Sequence, residues 1–401
     1  MISARETQPR YENLAAITAL RGIAALLVCL HHYSKMFLPE TGLVASQYTD
    51  FILNGYIWVD FFFILSGFVL THVYHKTFFV SINGPHYREF MLARFARIYP
   101  LHIFTLFLLL GFEFIEAIQY VLQNGVAHTL SVWPYGESQL FFTGSSDPRS
   151  FVKNIFMVHS LTLSPIETSW NHPAWSIGTE WIAYFLIPVW IFLLYKKLMS
   201  SQGIPILLVA TLLSCFAIIS WIGTLTIYDL DVAGFLGLLR CICEGIIGIC
   251  LYVIYIRWKP TAFFIGNTVI GVLFLTMILM MHWNITDVAI ILVITLIIVL
   301  INSHRGLYHK ILTTSGLVYL GVISYSVYLM HIPLVKMVNT ISLAVTGTVP
   351  QNSLNFFESM LAMPLALLVV IIISHFSYRY LEVPMRNLIR QSSRIKRWLK
   401  I

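Results

Sequence analysis

The sequence predicts an all-α, polytopic integral membrane protein with about ten transmembrane helices. Three observations predict it. Of 401 residues, 58% are hydrophobic and only 11% charged, where a soluble domain is nearer a quarter charged. The mean hydropathy is +0.79. Apolar runs long enough to cross a bilayer as a helix, about 20 residues each, recur along the chain with helical length and period rather than the short alternation of barrel strands.

The spans fall near 14–33, 54–74, 98–122, 173–195, 204–224, 233–256, 262–281, 286–302, 314–336 and 359–380. Residues 1–13 and 382–401 read as tails flanking a membrane domain of 14–381. The apolar stretch 151–163 is too short to span and is expected to lie at the interface or re-enter. The long connection 123–172 is rich in aromatics (Trp133, Tyr135, Phe141, Phe142 and Trp170) that suit either sugar rings or the interfacial belt. Cys29, Cys215, Cys241, Cys243 and Cys250 all lie in apolar segments, form no CxxC or His/Cys ligand pattern, and read as small core residues rather than a metal site.

Charge sets orientation. With the N-terminus cytoplasmic, nineteen of the 25 basic residues fall on inner segments, five outside and Arg21 within a span. Arg240 and Lys336 are among the five. This bias predicts that both termini are cytoplasmic. It also accounts for the net charge of +7 without nucleic-acid binding, and the basic tail, RNLIRQSSRIKRWLKI, suits anionic lipid headgroups.

The first span, LAAITALRGIAALLVCLHHYS from Leu14 to Ser34, carries Arg21 in its inner part and His31 and His32 at its far end. At about 100° per residue, Arg21 and His32 project from nearly the same face, about 16 Å apart along the axis. Ala24, Ala25 and Val28 between them either leave room for a thin linear chain or permit close helix packing. Three further spans carry ionisable groups: Asp60 in YIWVDFFFILSGF, Glu180 in PAWSIGTEWIAYF and His331 in SYSVYLMHIPL. At about 1.5 Å per residue these lie about 8–10 Å below the outer ends of their spans, so His32, Asp60, Glu180 and His331 are expected in one layer. Ionisable groups at membrane depth are costly and mark functional paths. Taken singly, Asp60 reads equally as a structural acceptor and His331 as an interface residue. At the inner side, ARFARIYP sets Arg94 and Arg97 on one helical face. Arginine forks suit phosphate, although positive-inside anchoring would account for this pair as well.

These residues together resemble the acyltransferase 3 family of membrane acyltransferases, over nearly the whole chain. The matching pieces are Arg21-x10-His32, the SGF of Ser66–Phe68, Arg94-x2-Arg97, WSIGTE at Trp175–Glu180, SYSVYLMHIPL at Ser324–Leu334, and YRYLEVPMR at Tyr378–Arg386. Only His32, not its neighbour His31, satisfies the ten-residue spacing. The resemblance implies transfer of an acyl group, commonly acetyl from acetyl-CoA, to a hydroxyl of a surface glycan or lipid-linked saccharide in a bacterial inner membrane. It implies that His32 and Arg21 are essential and that Arg94 and Arg97 lie near the CoA. The chain offers no GDS nucleophile motif and no room for an appended hydrolase domain, so the membrane domain is expected to acylate the acceptor itself.

The expected mechanism has acyl-CoA as co-substrate, its phosphates held by Arg94, Arg97 and Arg21, and its thioester carried outward to His32. His32 then serves as general base on the acceptor hydroxyl, with Asp60 or Glu180 orienting the imidazole, or forms an acyl-histidine itself. An exporter of a glycan or lipid-linked intermediate is the alternative class, and the lack of an internal repeat weighs against it.

Overall fold

The computed structural model describes residues 14–124, 147–162, 170–200, 204–226, 230–258, 266–303 and 305–401. Trp133, Tyr135, Phe141 and Phe142, together with the N-terminal tail, lie outside the described residues. Every element among the described residues is helical.

The chain opens with α1 (Ala15–His32), which runs on through a π-turn at Tyr33–Phe37 into α2 (Pro39–Ser46). It continues with α3 (Trp58–Val80), α4 (Gly84–Asn124) and the short α5 (Pro148–Ile155). Next come α6 (Ala174–Tyr184) and α7 (Ile187–Met199), one span bent by 50° at Phe185–Leu186. The remainder is α8 (Ile204–Thr224), α9 (Gly234–Trp258), α10 (Asn267–His282), α11 (Asp287–Ser303), α12 (Leu307–Leu312), α13 (Ser315–Val322), α14 (Ser324–Thr346), α15 (Phe356–Ser377), α16 (Val383–Gln391) and α17 (Ser393–Leu399). Among the described residues seven helices are long and apolar enough to cross a membrane, eight when the bent α6–α7 pair is counted as one span. α10 and α11, of 16 and 17 residues, occupy two further expected positions but are short for a full crossing.

Two boundaries depart from expectation. The span expected at 314–336 is broken at Ile323 into α13 and α14, and α14 continues to Thr346, which places His331 well inside the helix. The last span passes through a π-turn at Tyr378–Glu382 into α16 without a break. Glu382, at the expected start of the tail, is 1% exposed.

Small residues set the closest helix approaches. A Cβ on Gly67 of α3 would lie 2.0 Å from the Gly245 carbonyl of α9. One on Gly321 of α13 would lie 1.7 Å from the Thr18 carbonyl of α1. In a bilayer, where lipid is as apolar as leucine, such contacts drive helix association. The face between Arg21 and His32 serves the same purpose: Ala24, Ala25 and Val28 are each 0% exposed, with Ala25 packed beside Ile323 and Val327. Close packing, not a lane for a linear chain, is what these small side chains supply. The five cysteines are buried and free.

Candidate functional site

At one end of the bundle α1 and α14 bring His32 and His331 together. The Nδ1–H of His32 donates to the Val28 carbonyl one turn back at 3.0 Å. It also faces Nε2 of His331 at 3.2 Å, with ring centroids 5.0 Å apart. A proton fixed on Nδ1 leaves the Nε2 lone pair of His32 available as base or nucleophile and makes His331 Nε2 the acceptor of the pair. Both imidazoles are buried, His32 to 9% and His331 to 0% exposure.

His31 does something else. Its Nδ1–H donates to the Ile52 carbonyl at 2.9 Å, and Gly55 packs so closely that a Cβ there would lie 2.6 Å from that of His31. His31 therefore fastens the 3-10 turn Leu53–Ile57 to α1, whereas His32 faces His331.

A third residue of the cluster, His172, escaped sequence reasoning. It stands edge-on to His32 at 5.5 Å, in the turn that leads into α6. Its position immediately before the WSIGTE stretch was the available signal. Pro333 explains how the turn is held. Proline has no N–H, so the Leu329 carbonyl of α14 lacks its usual helical partner. The Asn171 amide fills that role, donating at 3.0 Å. On the other flank Tyr328 Oη donates to the Pro173 carbonyl at 3.1 Å. Nearby, His159 donates through Nε2 to the Ala174 carbonyl at 2.9 Å. This residue lies outside the spans, and burial pushes its imidazole down to about 3.

The two carboxylates expected beside His32 lie elsewhere. Among the described residues no carboxylate hydrogen-bonds either imidazole of the pair. Asp60, 0% exposed, is paired with Arg240 of α9, 1% exposed, at Nε–Oδ1 3.3 Å. Glu244, one turn further along α9 and 0% exposed, is a second acid buried at the same place. The Arg240 guanidinium lies over the rings of Trp175 at 5.5 Å and Phe63 at 6.0 Å and donates to the Leu230 carbonyl. The Leu230 N–H in turn donates to Asp287 at 2.9 Å, which also accepts from Tyr56 Oη at 3.0 Å. Arg240 is thus not an outer loop cation but the buried counter-charge of Asp60. The charge count missed it because a desolvated guanidinium must be paired, and Glu244 and Asp287 drew no attention in the sequence.

Glu180 accepts a hydrogen bond from Ser66 Oγ at 2.6 Å. Ser66 is six residues beyond Asp60, about 9 Å further along α3, so Glu180 lies deeper than the layer in which it was expected. Together with Phe63, Trp190, Cys241 and Ile246, both residues line a cleft between α3, α6–α7 and α9. The single layer of four residues is therefore corrected to a histidine pair, a buried Asp60–Arg240–Glu244 cluster beside it and a separate Ser66–Glu180 contact.

The opposite end is built around Glu382. Arg97 makes an ion pair with it and lies 5.4 Å over the Tyr325 ring. Ser326 Oγ donates to its other oxygen at 3.0 Å, and Arg386 Nη1 is 3.7 Å away. Two guanidiniums, Arg97 and Arg386, thus meet one buried carboxylate, with the charge of Arg21 acting on Arg97. Arg94, one turn back, points to other neighbours. Its Nη2 donates to Tyr74 Oη at 3.5 Å, and its guanidinium lies within 5.7–6.0 Å of the Tyr74, Phe90 and Tyr184 rings. Glu382 sits in the YRYLEVPMR stretch but was not singled out from it. Among the described residues no cluster of His, Cys, Asp or Glu is arranged to hold a metal.

Comparison with known proteins gives this geometry a setting. Residues 14–376 match a family model described as an acyltransferase domain. The chain is 30% identical over 189 residues to "Acyltransferase MdmB" of Streptomyces mycarofaciens, covering 47% of this chain and 42% of that protein. It is 23% identical over 411 residues to "O-acetyltransferase OatA" of Staphylococcus aureus (strain NCTC 8325 / PS 47), covering 94% of this chain and 58% of the relative. A shorter match, 34% identical over 101 residues, links it to "Protein 2 in picA locus" of Rhizobium radiobacter and covers 25% of this chain and 46% of the other. The chain thus spans about half the length of the curated relatives it matches. No solved structure matches it.

Proposed function

The chain belongs to the acyltransferase family whose domain model it matches, and on that footing we propose that it is a membrane O-acyltransferase. It moves an acyl group, acetyl in the first instance, from acyl-CoA on the cytoplasmic side to a hydroxyl of a surface glycan or lipid-linked saccharide on the other side. Both termini are cytoplasmic in this reading. The observation that carries it is the division of α1: His32, paired with His331, stands at one end, and Arg21 acts on the Arg97 cluster at the other.

His32 Nε2 takes the proton of the acceptor hydroxyl as its oxygen attacks the thioester carbonyl. The C–S bond breaks, and the proton passes from the imidazolium to the departing thiolate, so that free CoA leaves as the thiol. His331 takes the part a carboxylate plays in a hydrolase triad, accepting from His32 Nδ1–H and sharing its transient charge. At the cytoplasmic end Arg97 is engaged by Glu382. The CoA phosphates are met by the guanidinium group as a whole, Arg21, Arg94 and Arg386 included, with Arg97 held in place by its carboxylate. Because the Ala24–Val28 face is packed, the pantetheine arm takes another route than that face.

The test is ester-linked acyl on surface polysaccharide from cells expressing the wild type or His32→Ala. Loss of the ester is expected in the variant. An unchanged ester content in cells making folded His32→Ala protein overturns both base catalysis and an acyl-histidine, and leaves export of a glycan intermediate as the surviving class.

A further inference from the structure

His172 has no part in the transfer step described above, yet it is the exposed member of the histidine cluster. It is solvent-accessible, whereas His32, edge-on to it at 5.5 Å, is buried. The residues on both sides of it are tied to α14 within three residues of His331, through the Asn171 side-chain amide to the Leu329 carbonyl and through Tyr328 Oη to the Pro173 carbonyl. Its position is therefore locked in register with the His32–His331 pair. On the same rim Lys35 Nζ and Asp231 Oδ2 lie 3.8 Å apart, their side chains 43% and 42% exposed. Lys35 stands about one turn past His32, where α1 runs on through the π-turn Tyr33–Phe37, so the pair lies at the same end of the bundle as His172.

We propose that His172, Lys35 and Asp231 form the lip that binds the acceptor, and that this lip takes a polyhydroxylated molecule of the saccharide class and turns one hydroxyl toward His32 Nε2. This assignment rests on reading His32 as the transfer centre. An imidazole, an ammonium and a carboxylate at the same end of the bundle offer both donors and acceptors. Each saccharide hydroxyl both donates and accepts, so the lip can hold several of them at once. A simple alkyl alcohol has one hydroxyl and an apolar tail, and would leave most of the lip unmatched. The partial exposure of the Lys35–Asp231 pair means its side chains can exchange each other for a ligand without stranding a buried charge.

The experiment uses the full chain in lipid nanodiscs, acetyl-CoA as donor, a set of methyl hexosides as acceptor probes and 1-octanol as an apolar comparator. His172→Ala is expected to raise the KM for the methyl hexoside about tenfold, the loss of roughly one hydrogen bond. Its kcat should stay within about threefold. His172→Asn, which keeps a donor and an acceptor, should recover part of the loss. Asp231→Asn and Lys35→Gln should each raise the same KM severalfold, and they carry the test if His172→Ala fails to fold. A lowered kcat at unchanged KM places His172 in the transfer step and overturns the proposal, as does an unchanged KM and kcat. A wild type that hydrolyses acetyl-CoA but acetylates no hexoside, or prefers octanol, overturns the saccharide assignment. His32→Ala separates the two levels of the argument: if it retains transfer, the transfer centre is wrong whatever the acceptor KM shows.

Discussion

Replacement of Arg240 by Met tests what Asp60 is for. The pair is fully desolvated, Arg240 at 1% and Asp60 at 0% exposure with 3.3 Å between the charged groups. Removing one partner of such a pair costs about 3–5 kcal/mol, because the other charge is left buried and unpaired. At about 1.4 kcal/mol per decade, that is two to more than three orders of magnitude in the folding equilibrium. The loss should not be symmetric. Arg240→Met leaves Asp60 against Glu244, two acids sharing one buried site, and belongs at the upper end. Asp60→Asn leaves Arg240 with Glu244 as its counter-charge and belongs at the lower end. Replacing the pair together, as Asp60→Leu/Arg240→Met, removes both charges and should recover much of the stability, since well-packed apolar substitutes for a buried pair are often neutral. The assay is thermal unfolding of the purified chain in detergent, followed by the monodisperse fraction, with acyl transfer measured per folded molecule. Wild-type stability in Arg240→Met would refute the pairing. A stable double variant without transfer would refute the structural role and return Asp60 to the chemistry.

Five further outcomes follow from the same geometry. His331→Ala should lower kcat about a hundredfold, within the range of acid–base positioning effects, with the KM for acyl-CoA unchanged in steady-state assays. His31→Ala should instead lower the unfolding temperature and leave the turnover of the folded fraction nearly intact. Arg94→Ala should raise the acyl-CoA KM and spare the acceptor KM. Arg97→Ala strands the buried Glu382 carboxylate and should lose stability, which Arg97→Ala/Glu382→Gln partly restores in a thermal scan. Moving the imidazole one turn along α1, as Val28→His/His32→Ala, takes it about 6 Å from its place and away from His331. Transfer measured with acetyl-CoA should be abolished, and retained activity would show that the spacing from Arg21 is not what positions the base.

The fold was legible because its determinants are local. Bilayer thickness dictates span length, so α1, α3, α9 and α15 could be placed from apolar runs alone. The break at Ile323 was not legible, because both halves are apolar. The site was legible in part. Arg21 and His32 sit on one helix, where 100° per residue fixes their relation. His331 could be placed in the right layer although its helix ends ten residues later than expected, since depth errors at two helix ends happened to matter less than the contact itself. Asp60 and Glu180 could not be assigned, because depth along a helix does not say which way a side chain faces. Asp60 faces α9 and Glu180 faces Ser66, and only tertiary packing decides that. For the same reason Arg240, Glu244 and Glu382 were invisible: a buried ion pair is a property of two helices, and neither sequence stretch announces its partner.

The distribution of charge between the two ends follows from what each end is proposed to do. A carboxylate beside His32 would have to stay ionised at membrane depth in every state of the cycle, including those with no cation to face, and that is the costly arrangement. An imidazole acceptor carries no charge at rest and takes a share only while His32 is protonated, so His331 orients the base without a standing desolvation cost. The phosphate end has the opposite requirement. On that proposal it keeps cations ready for a polyanionic donor that arrives and leaves, and the buried Glu382 supplies the counter-charge of the partly exposed Arg97 in the meantime. Asp60 serves Arg240 in the same way near the histidine end. Asp60 and Glu382 are thus placed to hold arginines, and the proposed reacting centre is left to two imidazole rings.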